Sequence, residues 1–459
     1  MIRLPGTIVV LIIMCFTMNY IFAQEINEAE YQQLKNRLGT DLMQKLKEEI
    51  KKELIDELKA EYTMEPKQKQ VAEKPITTIK VNDPRNESKE VSTREEETVK
   101  YTEYQKGAEE IGLDKARYRL GEGLTFGEQL LTIRGFGNLN ARYIDNNVSE
   151  NLGIGNNFFS LGEFDLFMTS RLSNRISFLG EIVFEFESEE TEIDPERLII
   201  RYDVNNLLKI NVGKFHLPIG YWLPTYHHGV WLQTTIDRPD IFNFEDKGGP
   251  LPSHAIGAML SGSALLEGFD LNYACAISNG RGVNTTQIQV IDDRNDKKAL
   301  SLQLEVQPHI VEGLRLGPSI YYDVIPEDKT NPNRESEIRA IIYGGHIVYT
   351  IENIELLTEA FEINHDEFSG GVFNTIGGYA QFAYTINKFK PYYRYDYIKY
   401  DSNDPFYNES KFDFLDTNKH TLGLRYELSH FNALKFEYSH GVFDDEDVNI
   451  VGLQTAFSF

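Results

Sequence analysis

The sequence predicts an all-β protein, a transmembrane antiparallel β-barrel of about 16 strands preceded by an α-helix. Three observations lead there. From about residue 129 the chain becomes a series of short segments in which apolar and polar residues alternate. The connections between these segments alternate between short and long. Beyond an apparent export signal, no stretch approaches the roughly 20 apolar residues that a membrane helix needs, so any insertion into a membrane must be made by strands.

Taken in order, residues 1–23 read as a secretory signal, with Arg3 at its positive start, a mostly apolar run over 7–18 and Ile21-Phe22-Ala23 before Gln24. Of the two cysteines, Cys15 would leave with the signal and Cys275 sits alone in a strand pattern, so the mature chain is not stapled by an internal disulfide. Residues 24–62 have helical composition, and Met43, Leu46, Ile50, Leu54, Leu58 and Tyr62 fall on one face. This reads as an amphipathic, possibly coiled-coil helix that associates with its own copies; a lone solvated helix is the plainer alternative. Residues 63–117 are polar and without a sustained period, which reads as a flexible linker.

Residues 118–459 carry 27 basic and 49 acidic side chains and hold −22 of the chain's net charge of −25. So acidic a chain argues against nucleic-acid binding. Alternation is clearest where Ile176, Phe178, Gly180, Ile182, Phe184 and Phe186 oppose Ser177, Glu181, Glu185 and Glu187, and where Leu434, Phe436 and Tyr438 oppose Lys435 and Glu437. A period of two with one apolar face marks half-exposed strands. Sixteen such segments centre near residues 137, 165, 181, 199, 210, 259, 273, 302, 318, 343, 358, 380, 394, 423, 437 and 454. Short turns recur at 173–174, 205–206, 265–268, 308–313, 351–353, 387–388 and 430–432, while mostly longer, acidic connections intervene at 189–192, around Asp292, at 326–335, 401–416 and 444–447. Short turns at one rim, long loops at the other and an even strand number form the outer-membrane barrel pattern, and a soluble sandwich has no reason to sort its loops this way. The 28 Phe, 25 Tyr and 2 Trp suit interface girdles, and half of each strand faces a polar lumen, so no dry core is expected.

The longest connection is at 212–254, where about 35 residues separate two strand patterns, far above the usual loop length; with all short turns periplasmic it is the third external loop, about 216–252. This stretch holds both tryptophans, four of the ten histidines and five prolines. A loop that long and aromatic is expected to fold inward. Trp222, His227, His228, Trp231, Asp237, Arg238, Asp240, Glu245, Asp246 and Lys247 would form a pore constriction. Arg134, Arg142, Glu181, Glu185, Arg197, Arg201, Arg394 and Arg425 fall on polar strand faces and would line the pore wall, with Glu163, Asp165, Glu355, Asp396 and Glu427 beside them. His227-His228, with His216 and His254, invites a metal reading. Against it, adjacent histidines in an extended segment point opposite ways and no HExxH or CxxC spacing accompanies them, so no metal or other cofactor is expected.

The segment Val-Gly-Lys-Phe-His-Leu-Pro-Ile-Gly at 212–220 resembles the strand-to-loop motif of the phosphate-selective porin O and P family of bacterial outer-membrane porins. The resemblance covers the barrel, and the C-terminal aromatic strand ending at Phe459 looks like a bacterial outer-membrane assembly signal. It implies a homotrimeric diffusion channel in the outer membrane with the N-terminal helix in the periplasm, where 24–117 could contact peptidoglycan. In that family an arginine ladder and a lysine cluster account for phosphate selectivity. Here the wall carries both signs, so that selectivity is not carried over; rings of carboxylates favour cations and rings of arginine anions. The expected solutes are small hydrophilic molecules or ions, with a weak preference for cations or neutral species. Acidic loops could bridge divalent cations to lipopolysaccharide beside the membrane lipid, or simply form a solvated rim. Two other classes remain: a structural barrel tethered through the helix and linker, and a barrel enzyme. For the enzyme no GxSxG elbow or comparable signature is present, and none is expected.

Overall fold

The computed structural model describes residues 117–119, 123–126, 131–145, 157–186, 191–244, 249–285, 296–329, 336–407, 414–444 and 446–459. The export signal, the helix at 24–62, nearly all of the linker, and Glu245, Asp246 and Lys247 lie outside these residues. Of the two compact units into which the chain divides, all described residues belong to Ser92–Phe459.

Sixteen long strands follow one another: β3 (Leu131–Asp145), β4 (Asn157–Arg171), β5 (Ile176–Phe186), β6 (Thr191–Asn205), β7 (Leu208–His216), β8 (His254–Leu266), β9 (Phe269–Asn279), β10 (Lys298–Pro308), β11 (Leu314–Ile325), β12 (Ile338–Ile351), β13 (Ile354–Glu367), β14 (Val372–Tyr384), β15 (Phe389–Lys399), β16 (Thr417–Ser429), β17 (Asn432–Phe443) and β18 (Glu446–Ser458). Each pairs antiparallel with its neighbour in sequence, and β18 returns to β3 from Asn449↔Asp145 to Ser458↔Phe136. The sheet is therefore a closed ring without open edges. All sixteen segment centres read from the alternation fall within these strands. Two short strands precede the ring, β1 (Arg117–Arg119) and β2 (Gly123–Phe126). β2 pairs with Leu131–Ile133 of β3, beyond the point where β18 stops, and β1 pairs with β2. The seam closes on the last residue: Phe459 and Gly135 exchange backbone hydrogen bonds of 2.9 and 3.1 Å. The Phe459 ring lies where a Cβ at residue 135 would stand, which is why glycine sits there.

The pleat sorts the side chains. In β15, Tyr392, Arg394, Asp396 and Ile398 are buried while Tyr393 and Tyr397 between them are exposed. In β17, Lys435 and Glu437 are buried while Phe436 and Tyr438 are exposed. Charged groups inside and large apolar groups outside is the inverse of a water-soluble barrel and the arrangement that a bilayer requires. No helix among the described residues is long and apolar enough to cross a membrane.

Two expectations need correcting. The long rim is less uniform than the acidic runs imply: Glu192 belongs to β6 and Glu446 to β18, and the connection at 368–371 is a tight turn. Strands there run past the apolar band, where both faces meet water and alternation no longer marks a strand. The interior also holds an apolar cluster. Phe215, Leu217, Ile219, Trp222, Leu223, Ile241, Phe242 and Leu251 pack with Tyr321, Ile325, Ile338, Ile342, Phe361, Ile363, Tyr379 and Ile398. Inward-facing apolar residues on β11–β15 have a partner because the 217–253 connection supplies one. Covering a large side chain of this kind is worth roughly 1.5–3 kcal/mol.

Candidate functional site in the barrel interior

The 217–253 connection leaves β7 and lies against inward-facing side chains over much of the ring. Its entry is specified locally. Gly220 has φ +66°, and a Cβ there would meet Glu359 Oε2 at 2.1 Å. Its N–H donates to Ser319 Oγ at 3.3 Å. The next two N–H groups, of Tyr221 and Trp222, donate to the Glu359 carboxylate at 2.6 and 2.8 Å. Glu359, held also by Tyr379 Oη at 2.9 Å, thus caps the single turn α1 (Trp222–Tyr226) from β13. Trp222 then stacks on Phe242, centroids 5.3 Å apart.

Residues 230–240 are tied to cations and carboxylates of the opposite wall. Lys435 Nζ donates to the carbonyls of Val230 and Thr235 at 2.6 and 2.8 Å. Arg425 Nη1 donates to those of Trp231 and Gln233 at 2.7 and 2.9 Å. Arg394, fully buried, reaches Thr235 Oγ1 at 2.9 Å and the carbonyls of Asp237 and Arg238 at 2.7 and 3.0 Å. Thr234 Oγ1 donates to Glu355 at 2.7 Å and accepts from Lys390 at 2.9 Å, while the Ile236 N–H donates to Glu437 at 2.9 Å. Asp237 accepts a forked pair from Arg142 of β3, one arm at 3.0 Å, and Asp240 pairs with Lys419 while its N–H donates to Asp396 at 3.1 Å. Charge-assisted bonds of this kind are the strong ones. Trp231 stacks on Phe136 of β3, interplanar angle 8°.

Electrostatics in this stretch follows the partners. Burial raises the Asp237 carboxyl, but the Arg142 guanidinium beside it brings it down to about 2. Burial pushes Asp240 up to about 6 against the pull of Lys419, with Asp396 adding to the rise. At the start of the connection, burial and the neighbouring His228 hold His227 well below the ordinary imidazole range. His228 is buried as well, which lowers it, yet Glu196 and Glu163 together lift it well above that range.

Among the residues expected at a constriction, Trp222, His227, His228, Trp231, Asp237, Arg238 and Asp240 all pack inside the barrel. Of the expected wall residues, Arg142, Arg394 and Arg425 meet the connection directly. Arg197 instead pairs with Glu181, and Arg201 with Asp203 at 3.1 Å, both beside β5 and β6. Sequence reasoning passed over Lys390, Lys419, Lys435, Glu437 and Glu359. Alternation put Lys435 and Glu437 on a polar strand face, but a pleat alone does not say what that face meets. It also passed over Glu196. The register between β5 and β6 slips from Glu181↔Arg197 to Ile182↔Pro195, so Glu196 is the extra residue of a bulge and turns inward. The geometric objection to a histidine cluster does not hold either. His227 closes α1 with φ −9° and ψ −73° rather than lying in an extended segment, and the His227 and His228 rings meet with centroids 4.5 Å apart.

No protein-family model and no curated protein matches the chain. Solved structures do share the fold. An anion-selective porin from Comamonas acidovorans superposes with a TM-score of 0.52 at 11% identity, over 72% of this chain and 99% of that one. OmpF of Salmonella typhi, in complex with daunomycin, superposes with a TM-score of 0.50 at 11% identity, over 75% of this chain and 100% of that one. The class defined by closure, strand number and inside-out polarity is thus the sixteen-stranded porin-type barrel.

Proposed function

We propose that this protein is an outer-membrane porin that lets small hydrophilic solutes or ions diffuse passively, its lumen narrowed by the 217–253 connection. One observation carries the reading. The connection leaves the ring at β7 yet is hydrogen-bonded to β15, half-way round the ring, and to β16, β17 and β3, which supports a path across the lumen. Cations that reach the connection meet carboxylates there, Arg142 on Asp237, Lys419 on Asp240 and Lys390 on Glu355, while Glu359 and Glu437 add negative charge held by backbone N–H donors. That balance supports a weak preference for cations or neutral solutes rather than anions.

In the cell the short turns face the periplasm, with the segment at 24–117 on the same side and available to peptidoglycan, and three copies assemble in the lipid and lipopolysaccharide of the outer membrane. The test is planar-bilayer conductance of the refolded protein under a salt gradient. Stepwise openings in groups of three with a cation-positive reversal potential are expected, and an anion-preferring conductance would sink the selectivity. The apolar cluster inside the barrel favours one second reading, a structural barrel tethered through its N-terminal segment, and absence of any conductance would select it.

A further inference from the structure

Beside the root of the 217–253 connection lies a group of side chains that the channel reading leaves unused. His216 and His254 are register partners at the facing ends of β7 and β8. His227 and His228 arrive from the end of α1, and Glu196 from the bulge in β6. The rings are in contact: the His227 centroid is 4.3 Å from that of His216, 4.5 Å from that of His228 and 4.6 Å from that of His254. The Nε2 atoms of His227, His228 and His254 converge on one atom, Oε2 of Glu196, at 3.7 Å, 3.2 Å and in direct contact.

A carboxylate oxygen has two lone-pair positions and cannot satisfy three nitrogens. Accordingly Glu196 Oε2, His228 Nε2 and both ring nitrogens of His227 and His254 are buried without a hydrogen bond of acceptable geometry. Buried polar atoms are almost always satisfied, and a concentration of exceptions calls for a missing partner. The His227 ring touches the other three, and an imidazole nitrogen is a common metal ligand.

We propose that Glu196, His227, His228 and His254 bind one divalent first-row transition-metal ion of the zinc class, which staples the root of the connection to β6. The four donor atoms lie within 4.8 Å of one another. A tetrahedral zinc site with bonds of about 2.0–2.2 Å spaces its donors roughly 3.3 Å apart, a contraction that small side-chain rotations supply. The donor set selects the metal: three imidazoles exclude hard calcium and magnesium, which take oxygen, and no thiolate is present to favour copper(I). The surroundings match those of metal sites. His228 Nδ1 lies 3.3 Å from Glu163 Oε2, a carboxylate that would fix the tautomer leaving Nε2 for the metal. His216 packs against two ligands and has its Nε2 3.8 Å from Glu181 Oε2, so it orients the site from behind.

The test uses the full chain in detergent micelles, stripped with a chelator and titrated calorimetrically with zinc chloride or magnesium chloride, so it does not depend on conductance. One zinc per chain and no uptake of magnesium are expected, and X-ray absorption of the loaded protein should show imidazole scattering with nitrogen and oxygen donors only. His227→Gln and His254→Gln should each weaken zinc binding by at least about 100-fold and Glu163→Gln by about 10- to 100-fold. His309→Gln, an exposed histidine on the opposite rim, should change nothing. Far-ultraviolet circular dichroism and heat-dependent migration in detergent gels report whether each variant forms the barrel. Absence of saturable zinc uptake by the stripped wild-type protein would overturn the proposal, as would unchanged affinity in a folded His227→Gln variant. If no variant folds, the stoichiometry and absorption spectrum of the wild type decide the matter alone.

Discussion

Asp237 and Asp240 stand three residues apart in the same connection and respond to pH in opposite ways. Asp237 is held at about 2, below its ordinary 3.8, by Arg142. A depressed carboxyl stabilises the fold fully above its unfolded value and loses that contribution as pH falls toward the folded one. Asp237→Asn should therefore cost about 1 kcal/mol, as befits a pair with solvent access. The loss should be equal at pH 7 and pH 5 and fade below about pH 3 in thermal melts followed by circular dichroism. Asp240, raised to about 6, has the reverse sign: its ionisation costs the folded state, and that cost shrinks as pH falls below 6 and is gone below its ordinary 3.8. Asp240→Asn should accordingly cost less at pH 7 than at pH 5. Gly220 sets a steric limit, because φ of +66° and the Glu359 oxygen 2.1 Å from a would-be Cβ leave no room for alanine. Gly220→Ala should lower stability by about 1–3 kcal/mol and expose the connection to limited proteolysis, read by the appearance of fragments from 217–253.

At the scale of elements, the connection is held by side chains of the wall. Among its described residues regular structure is limited to one turn of α-helix and one 3-10 turn at Asp240–Phe242, and the carbonyls of Val230, Trp231, Gln233 and Thr235 find their donors on the wall. Buried backbone groups must be paired, and Arg394, Arg425 and Lys435 perform that service from β15, β16 and β17. Replacing Lys435 by methionine leaves two carbonyls without their donor. It should loosen the connection without opening the barrel, read as noisier single-channel current at unchanged heat-dependent gel migration. Excision of 221–252 with a short Gly-Ser bridge should raise single-channel conductance several-fold; an unchanged conductance would mean that the ion path avoids the connection.

For the whole molecule, closure is the property that matters. The ring has no open edge, and its seam is completed by Phe459 against Gly135. Removing Phe459 deletes two backbone hydrogen bonds and a stacking partner of Phe164 at 5.7 Å. Slower assembly of the heat-resistant form in detergent gels is the expected result. The strongly negative barrel is expected to draw cations toward its mouth at low ionic strength, so selectivity measured by reversal potential should weaken as salt rises.

The alternation of apolar and polar residues located by itself the sixteen strands of the ring and, where it is clean, which side of a strand is polar; it gave no sign of β1 and β2. A pleat transmits that information locally, two residues at a time. The unusual length and aromatic content of 212–254 also marked that stretch for a special role. What only the tertiary structure decided is what the polar faces meet. Lys435 and Glu437 look alike as strand residues, and their roles became visible once Val230, Thr235 and Ile236 had crossed from β7 to reach them. Glu196 hides in the same way, because a bulge changes the direction of a side chain without altering composition or period. His216, His227, His228 and His254, dispersed over nearly forty positions of sequence, become neighbours through strand pairing and one sharp turn. Periodicity records the direction of a side chain relative to its own strand, whereas a site depends on convergence between distant segments, and convergence is a property of the closed barrel.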